Sequence, residues 1–141
     1  MKLKAKESLI KLTEEFFKKH WCKEVIKDSP PQWSEEYFLQ GSMPNHDKQG
    51  VYAFLSKNEV IYIGAGVSKG SGRYVGHGLG KRIQAYTRRV AKDQYEIINE
   101  ELKEAECIVT LGFEKEYAYL AYALEAFLIA KIRPKYNKIG L

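Results

Sequence analysis

Residues 50–64 read GVYAFLSKNEVIYIG. Two runs rich in β-branched and aromatic side chains, Gly50–Ser56 and Glu59–Gly64, flank the polar pair Lys57-Asn58, and this pattern predicts a β-hairpin. Further along, Cys107–Phe113 (CIVTLGF) has the same character and predicts a third strand. Around these strands the apolar spacing turns helical. Leu9, Leu12 and Phe16, with Ile10, Phe17 and Trp21 beside them, predict an amphipathic helix from Lys4 to about Trp21. Leu79, Ile83, Tyr86 and Val90 recur at i, i+4, i+7 and i+11 and predict a second, from Leu79 to about Val90. Glu116–Ile132 predicts a long third helix that Pro134 closes.

Between the first helix and the hairpin, Asp28–Gly50 holds three of the four prolines and a short apolar island at Trp33, Tyr37, Phe38 and Leu39. It reads as an irregular connection with one or two helical turns, and divides the chain into an N-terminal helical extension (1–49) and a main domain (50–141). Ala65–Gly80 carries six glycines from Gly66 to Gly80 and predicts a loop.

The composition fits one globular domain. The chain has 141 residues, 45% hydrophobic and 29% charged. Its most apolar stretch, Tyr117–Ala130, is shorter than the roughly 20 apolar residues of a membrane span. The basic N-terminus is followed by neither an apolar run nor a small-residue cleavage site, so a cytoplasmic protein without membrane association is expected. Cys22 and Cys107 have no CxxC spacing and read as reduced thiols rather than a disulfide or zinc set.

The net charge of +5 is concentrated in the middle of the chain: residues 50–99 carry 8 basic and 3 acidic groups, whereas the flanking segments are nearly balanced. Val67–Lys92 contains Lys69, Arg73, Lys81, Arg82, Arg88, Arg89 and Lys92 with no Asp or Glu. Such a field suits a polyanion. Two phosphate-binding signatures can be set aside. Gly64-x-Gly66-x-x-Lys69 lacks the third glycine of a dinucleotide fingerprint, and Gly80-Lys81-Arg82 lacks both the earlier glycine, which is Val75, and the hydroxyl residue of a phosphate loop.

What remains is an ordered set: Gly50-Val51-Tyr52, Tyr62-Ile63-Gly64, Arg82 within Gly80–Tyr86, Glu125 within Leu124-Glu125-Ala126, and Asn137 at the end of Arg133-Pro134-Lys135-Tyr136-Asn137. This order resembles the GIY-YIG endonuclease family over Gly50–Asn137. The resemblance implies an α+β fold with a small, mainly antiparallel three-stranded sheet flanked by helices, and phosphodiester cleavage with one divalent metal ion. Val51 stands where the family name has isoleucine, and Tyr86 where a histidine is often found, which rules out a histidine base there.

On that resemblance the chain is expected to be a metal-dependent endonuclease acting on DNA, with RNA also open as substrate. Tyr52, Tyr62, Arg82, Glu125 and Asn137 form the expected catalytic set. Glu125 is the only charged side chain in Tyr117–Ala130, and a buried carboxylate needs a partner or a cation. One carboxylate with water and substrate oxygens suits Mg²⁺, or alternatively Mn²⁺. Arg82 would clamp the scissile phosphate. Tyr52 is assigned to deprotonating or orienting the attacking water, although an ordinary phenol, with a pKa near 10, is a poor base at neutral pH. Asn137 would fix the geometry around these groups. Lys69, Arg73, His77, Lys81, Arg88 and Arg89 are the expected nucleic-acid contacts. A non-catalytic binding module on the same fold is the competing expectation, and a homodimer or protein partner stays open.

Overall fold

The structure is a computed structural model describing residues 2–67 and 78–137. Its elements are α1 (Lys2–His20), β1 (Gln49–Ser56), β2 (Glu59–Gly66), α2 (Gly78–Gln84), β3 (Thr87–Ala91), β4 (Gln94–Ile97), β5 (Cys107–Phe113) and α3 (Leu120–Ile132). Single 3₁₀ turns at Leu102–Glu104 and Lys115–Tyr117 precede β5 and α3. Strands β2, β1 and β5 form one antiparallel sheet in that order, and β3 pairs with β4 separately. This is the expected α+β architecture. No helix among the described residues is long and apolar enough to cross a membrane.

The hairpin turns on Lys57 and Asn58, both at positive φ (47° and 66°), the conformation that matches the twist of two paired strands. The Asn58 carboxamide oxygen accepts a hydrogen bond from the Ala5 N–H (3.1 Å), so the turn also satisfies one of the free donors at the start of α1.

β1 is central, and its alternating side chains feed two cores. Val51, Ala53 and Leu55 meet α1 through Leu9, Phe16 and Phe17, and α3 through Ala121, Leu124 and Leu128. Tyr52 and Phe54 face the other way, toward Leu79 and Ile83 of α2, Ile97 and Ile108. A β-bulge shifts the β1–β2 register between Phe54 and Leu55, with Ile61 falling between the paired residues Val60 and Tyr62. Beyond it, Tyr62 lies opposite Phe54 and Gly64 opposite Tyr52, so Tyr62 emerges on the Tyr52 face.

Both edges of the sheet are covered. Ser34 and Tyr37 donate their N–H groups to Thr110 and Ile108 carbonyls of β5. On the β2 edge, Tyr136 N–H donates to the Ile61 carbonyl (3.0 Å), and the Asn137 carboxamide both accepts from Ile63 N–H (2.9 Å) and donates to the Ile63 carbonyl (2.8 Å).

Two expectations are corrected. The helix anticipated from Leu79 to Val90 stops at Gln84, and the chain reverses into the β3–β4 hairpin, with Asp93 at φ 58° in its turn. Leu79 and Ile83 are buried as expected, but Val90, placed by the helical spacing on the same face, is exposed. Thr87 donates its hydroxyl to the Ile83 carbonyl (3.1 Å), occupying the helix end where continuation would have been needed. The connection 28–50 contains no helical turn; it runs extended along β5 at Tyr37 and beside β4 at Gln40.

Candidate active site

The expected catalytic residues arrive from both sides of the sheet. Tyr52 and Tyr62 project from β1 and β2 toward α2, which presents Arg82. Helix α3 packs on the opposite core, yet Glu125 reaches the backbone of Ala65 near the end of edge strand β2 and interacts electrostatically with Arg82. Glycine makes this closeness feasible at two points. A Cβ on Gly64 would run into the Tyr52 ring, and Gly66 and Gly78 touch backbone to backbone, so a side chain on either would collide with the other's carbonyl.

The centre is a trio of tyrosines. Ring centroids of Tyr52 and Tyr62 are 6.3 Å apart, and each lies 6.0 Å from the ring of Tyr86, with Phe54 packed against all three. The Tyr52 and Tyr86 hydroxyls are 2.9 Å apart, and the Tyr86 hydroxyl donates to that of Tyr62 at 3.4 Å. The Arg82 guanidinium hydrogen-bonds Tyr52. A guanidinium only donates. Arg82 therefore donates to Tyr52, and with the single proton of Tyr86 directed at Tyr62, the Tyr52 hydroxyl donates to Tyr86. The proton of Tyr62 is the one left to point outward.

Burial reinforces that order. Tyr52 is 0% exposed, whereas Tyr62 and Tyr86 are half-buried. Desolvation, followed by the hydrogen bond with Tyr86, holds the Tyr52 phenol far above its ordinary value, and the Arg82 bond offsets only part of this. Tyr62 is pushed up to about 12, again chiefly by burial. The Tyr52 hydroxyl is enclosed and engaged on both sides, whereas Tyr62 is the more exposed of the two motif tyrosines. Tyr86 was not among the expected site residues, although its place four residues after Arg82 was the signal that could have included it.

Glu125 is half-buried, and desolvation raises its carboxyl above the usual range while Arg82 and the hydrogen bond with Ala65 pull it down. No group of three His, Cys, Asp or Glu that could hold a metal occurs among the described residues. A single, incompletely compensated carboxylate fits a divalent ion that keeps most of its waters, as Mg²⁺ does. Asn137 lines a cleft together with Tyr62 and Tyr86, and both ends of its carboxamide hold Ile63, the residue between Tyr62 and Gly64, which makes it a positioning residue.

Of the expected nucleic-acid contacts, Lys81 is exposed on α2 and Arg88 and Arg89 are exposed on β3. Arg88 is paired with Glu96 across the hairpin (2.7 Å). Lys69, Arg73 and His77 lie outside the described residues.

No protein-family model matches the chain. UvrABC system protein C from Thermotoga petrophila is 36% identical over 91 residues, covering 64% of this chain and 14% of that protein, and the protein from a second Thermotoga strain matches equally. Among solved structures, the GIY-YIG N-terminal endonuclease domain of UvrC from Thermotoga maritima bound to magnesium is 28% identical, covering 67% of this chain and 89% of that one, with a TM-score of 0.45. A tyrosine-to-phenylalanine mutant of that domain, bound to its catalytic divalent cation, gives 28%, 69%, 90% and 0.47. The chain is thus similar, over 91 residues that span 14% of the curated relatives' length, to UvrABC system protein C, and its motif order resembles that of the GIY-YIG endonuclease family.

Proposed function

We propose that this chain is a divalent-metal-dependent endonuclease that hydrolyses phosphodiester bonds in DNA. The observation that carries the reading is the convergence of one donor-only cation, one desolvated carboxylate and an ordered chain of phenols at the edge of a single sheet.

Each group has a role that its chemistry supports. Arg82 donates to the non-bridging oxygens of the scissile phosphate and stabilises the charge that builds on them. Its bond to Tyr52 holds the guanidinium in place before substrate arrives. Tyr62 donates its outward proton to a phosphate oxygen, or accepts from the attacking water and orients it in line with phosphorus. With Tyr62 near 12 and Tyr52 higher, both phenols stay protonated at neutral pH and act through hydrogen bonds. Glu125 would hold the divalent cation, which supplies Lewis-acid stabilisation of the phosphate when bound.

One such site cuts one strand at a time, so the unit reaction is a nick, and concerted double-strand cleavage needs a second copy. Residues 50–141 form the nuclease domain in this reading, and residues 1–49 brace it, since α1 shares a core with β1 and α3. The basic segment Val67–Lys92 binds the DNA backbone. If about half of its seven cations meet phosphates, log K falls with log salt at a slope of roughly −3.

The test is plasmid nicking by the full chain with Mg²⁺, with EDTA, and by a folded Glu125→Ala variant matched for DNA binding. Magnesium-dependent nicking that disappears in the variant supports the reading. A folded wild type that binds DNA but cuts neither DNA nor RNA with Mg²⁺ or Mn²⁺ overturns it in favour of a binding module.

A further inference from the structure

Between α2, β4 and the 37–46 segment lies a cavity of about 430 Å³, within the 300–1,000 Å³ typical of ligand pockets, and none of the three site tyrosines lines it. No catalytic residue lines it. One wall is the 37–46 segment of the N-terminal extension; another is β4 with the end of α2. The walls are tied together by backbone hydrogen bonds: Gly41 N–H donates to Asp93 (2.7 Å), Tyr95 N–H to Leu39 (2.9 Å), and Gly80 N–H to His46 (3.1 Å). The cavity is therefore pre-formed from three separate parts of the chain.

Its lining combines rings and apolar side chains with polar groups at hand. Tyr37 is buried, its hydroxyl donating to the Gly41 carbonyl (2.8 Å), and Tyr95 is 36% exposed. Met43 and Ile83 are buried, while Ser42 and Gln84 are exposed and supply hydrogen-bonding groups. Lys81 lines the cavity, and the next residue, Arg82, hydrogen-bonds Tyr52 in the catalytic cluster. Successive residues of a helix point about 100° apart, with Cα atoms about 3.8 Å from each other. Helix α2 thus presents one cation to each of two adjoining sites.

We propose that this cavity receives an unpaired nucleobase of the substrate strand, from a nucleotide neighbouring the phosphate held by Arg82, with Lys81 on the adjoining phosphate. The proposal rests on the nuclease reading and adds a substrate class to it. A base inside a duplex cannot reach such a pocket without leaving its stack, and the cost is least where the base is already unpaired. Tyr95 offers the stacking face, Met43 and Ile83 the apolar floor, and Ser42 and Gln84 the donors and acceptors for a base edge. The anionic strand explains why a mostly apolar pocket borders the basic part of the chain.

The test is binding of the full chain, in EDTA, to three labelled DNA duplexes that differ at one position: a single unpaired adenosine, an abasic residue in its place, and full pairing. The wild type is expected to bind the adenosine bulge tighter than the abasic bulge by roughly five-fold to a hundred-fold, the span of a base–aromatic stacking contact. Tyr95→Ala and the cavity-filling Ser42→Trp are expected to abolish that preference, and Tyr95→Phe to keep it. Equal wild-type affinity for the two bulges overturns the proposal. A preference that survives in both Tyr95→Ala and Ser42→Trp also overturns it, by placing the base elsewhere. Cleavage is scored separately: base discrimination without cutting in Mg²⁺ or Mn²⁺ defeats the nuclease reading and supports the pocket, whereas cutting without discrimination defeats the pocket alone.

Discussion

The Tyr52 hydroxyl lies 2.9 Å from that of Tyr86 and also accepts from the Arg82 guanidinium, so two partners engage it. The inner and outer tyrosines should therefore respond differently to loss of a hydroxyl. Tyr62→Phe removes the outward donor, with kcat expected to fall about a hundred-fold while DNA affinity and Tm hardly change. Tyr52→Phe leaves the bonds from Arg82 and to Tyr86 without their partner, and is expected to lower stability by about 1–3 kcal/mol as well as kcat. Kinetics and thermal melts on the same preparations check both.

Glu125 carries a carboxyl raised chiefly by burial. A raised carboxyl favours the protonated folded state, so its contribution to stability is present below the ordinary glutamate value and is lost as pH rises through the folded one. Glu125→Gln mimics the protonated form. Metal-free Glu125→Gln is expected to melt slightly above wild type at pH 7 and level with it in acid, while cutting falls at least about a hundred-fold. Added Mg²⁺ should raise the wild-type Tm and leave the variant unchanged. Thermal shift against pH and Mg²⁺ reads all three.

The phenols offer an alkaline signature. Tyr62 at about 12, and Tyr52 above it, bind their protons more tightly in the folded than in the unfolded chain. The stability this represents is complete below the ordinary value near 10 and disappears as pH climbs toward 12. Ultraviolet titration of the metal-free protein is expected to show a late phase at about 12 or with alkaline unfolding, reduced in Tyr62→Phe. A cutting-rate profile free of any tyrosine ionisation below about pH 9 would agree with phenols that orient without taking the proton.

Gly64→Ala puts a methyl group where the Tyr52 ring lies. Overpacking of this kind costs about 1–3 kcal/mol and moves the ring that the Arg82 bond holds. The variant is expected to fold with lowered Tm and to lose most of its activity, and adding Phe at position 52 should not restore it. Denaturant melts beside nicking assays decide the matter.

The hairpin, the third strand and the helices at the two ends of the chain were legible because each has a single period over many residues, and the turn at Lys57-Asn58 falls where the pattern breaks. The stretch from Leu79 to Val90 was misread because four apolar residues at helical spacing happen to span a helix end and a strand. The competing signal was local: Thr87 and Val90 are β-branched, and Lys92-Asp93 offers a turn. At the site, the motif order grouped Tyr52, Tyr62, Arg82 and Glu125, and Arg82 interacts with the other three, although α3 packs on the far core and reaches them only at the end of edge strand β2. Which tyrosine meets solvent could not be read from residue types, because it depends on how deeply the fold buries Tyr52.

The backbone contact between Gly66 and Gly78 has a practical corollary for protein engineering. Because Gly66 and Gly78 already meet, strand and helix are held together independently of what joins them, and each doubling of a joining loop's length costs only about 0.6 kcal/mol. The junction is a socket for cassettes: foreign loops seated there would sit one helical turn from Arg82, where a few grafted side chains could retune which nucleic acids are held without rebuilding the centre that cuts them.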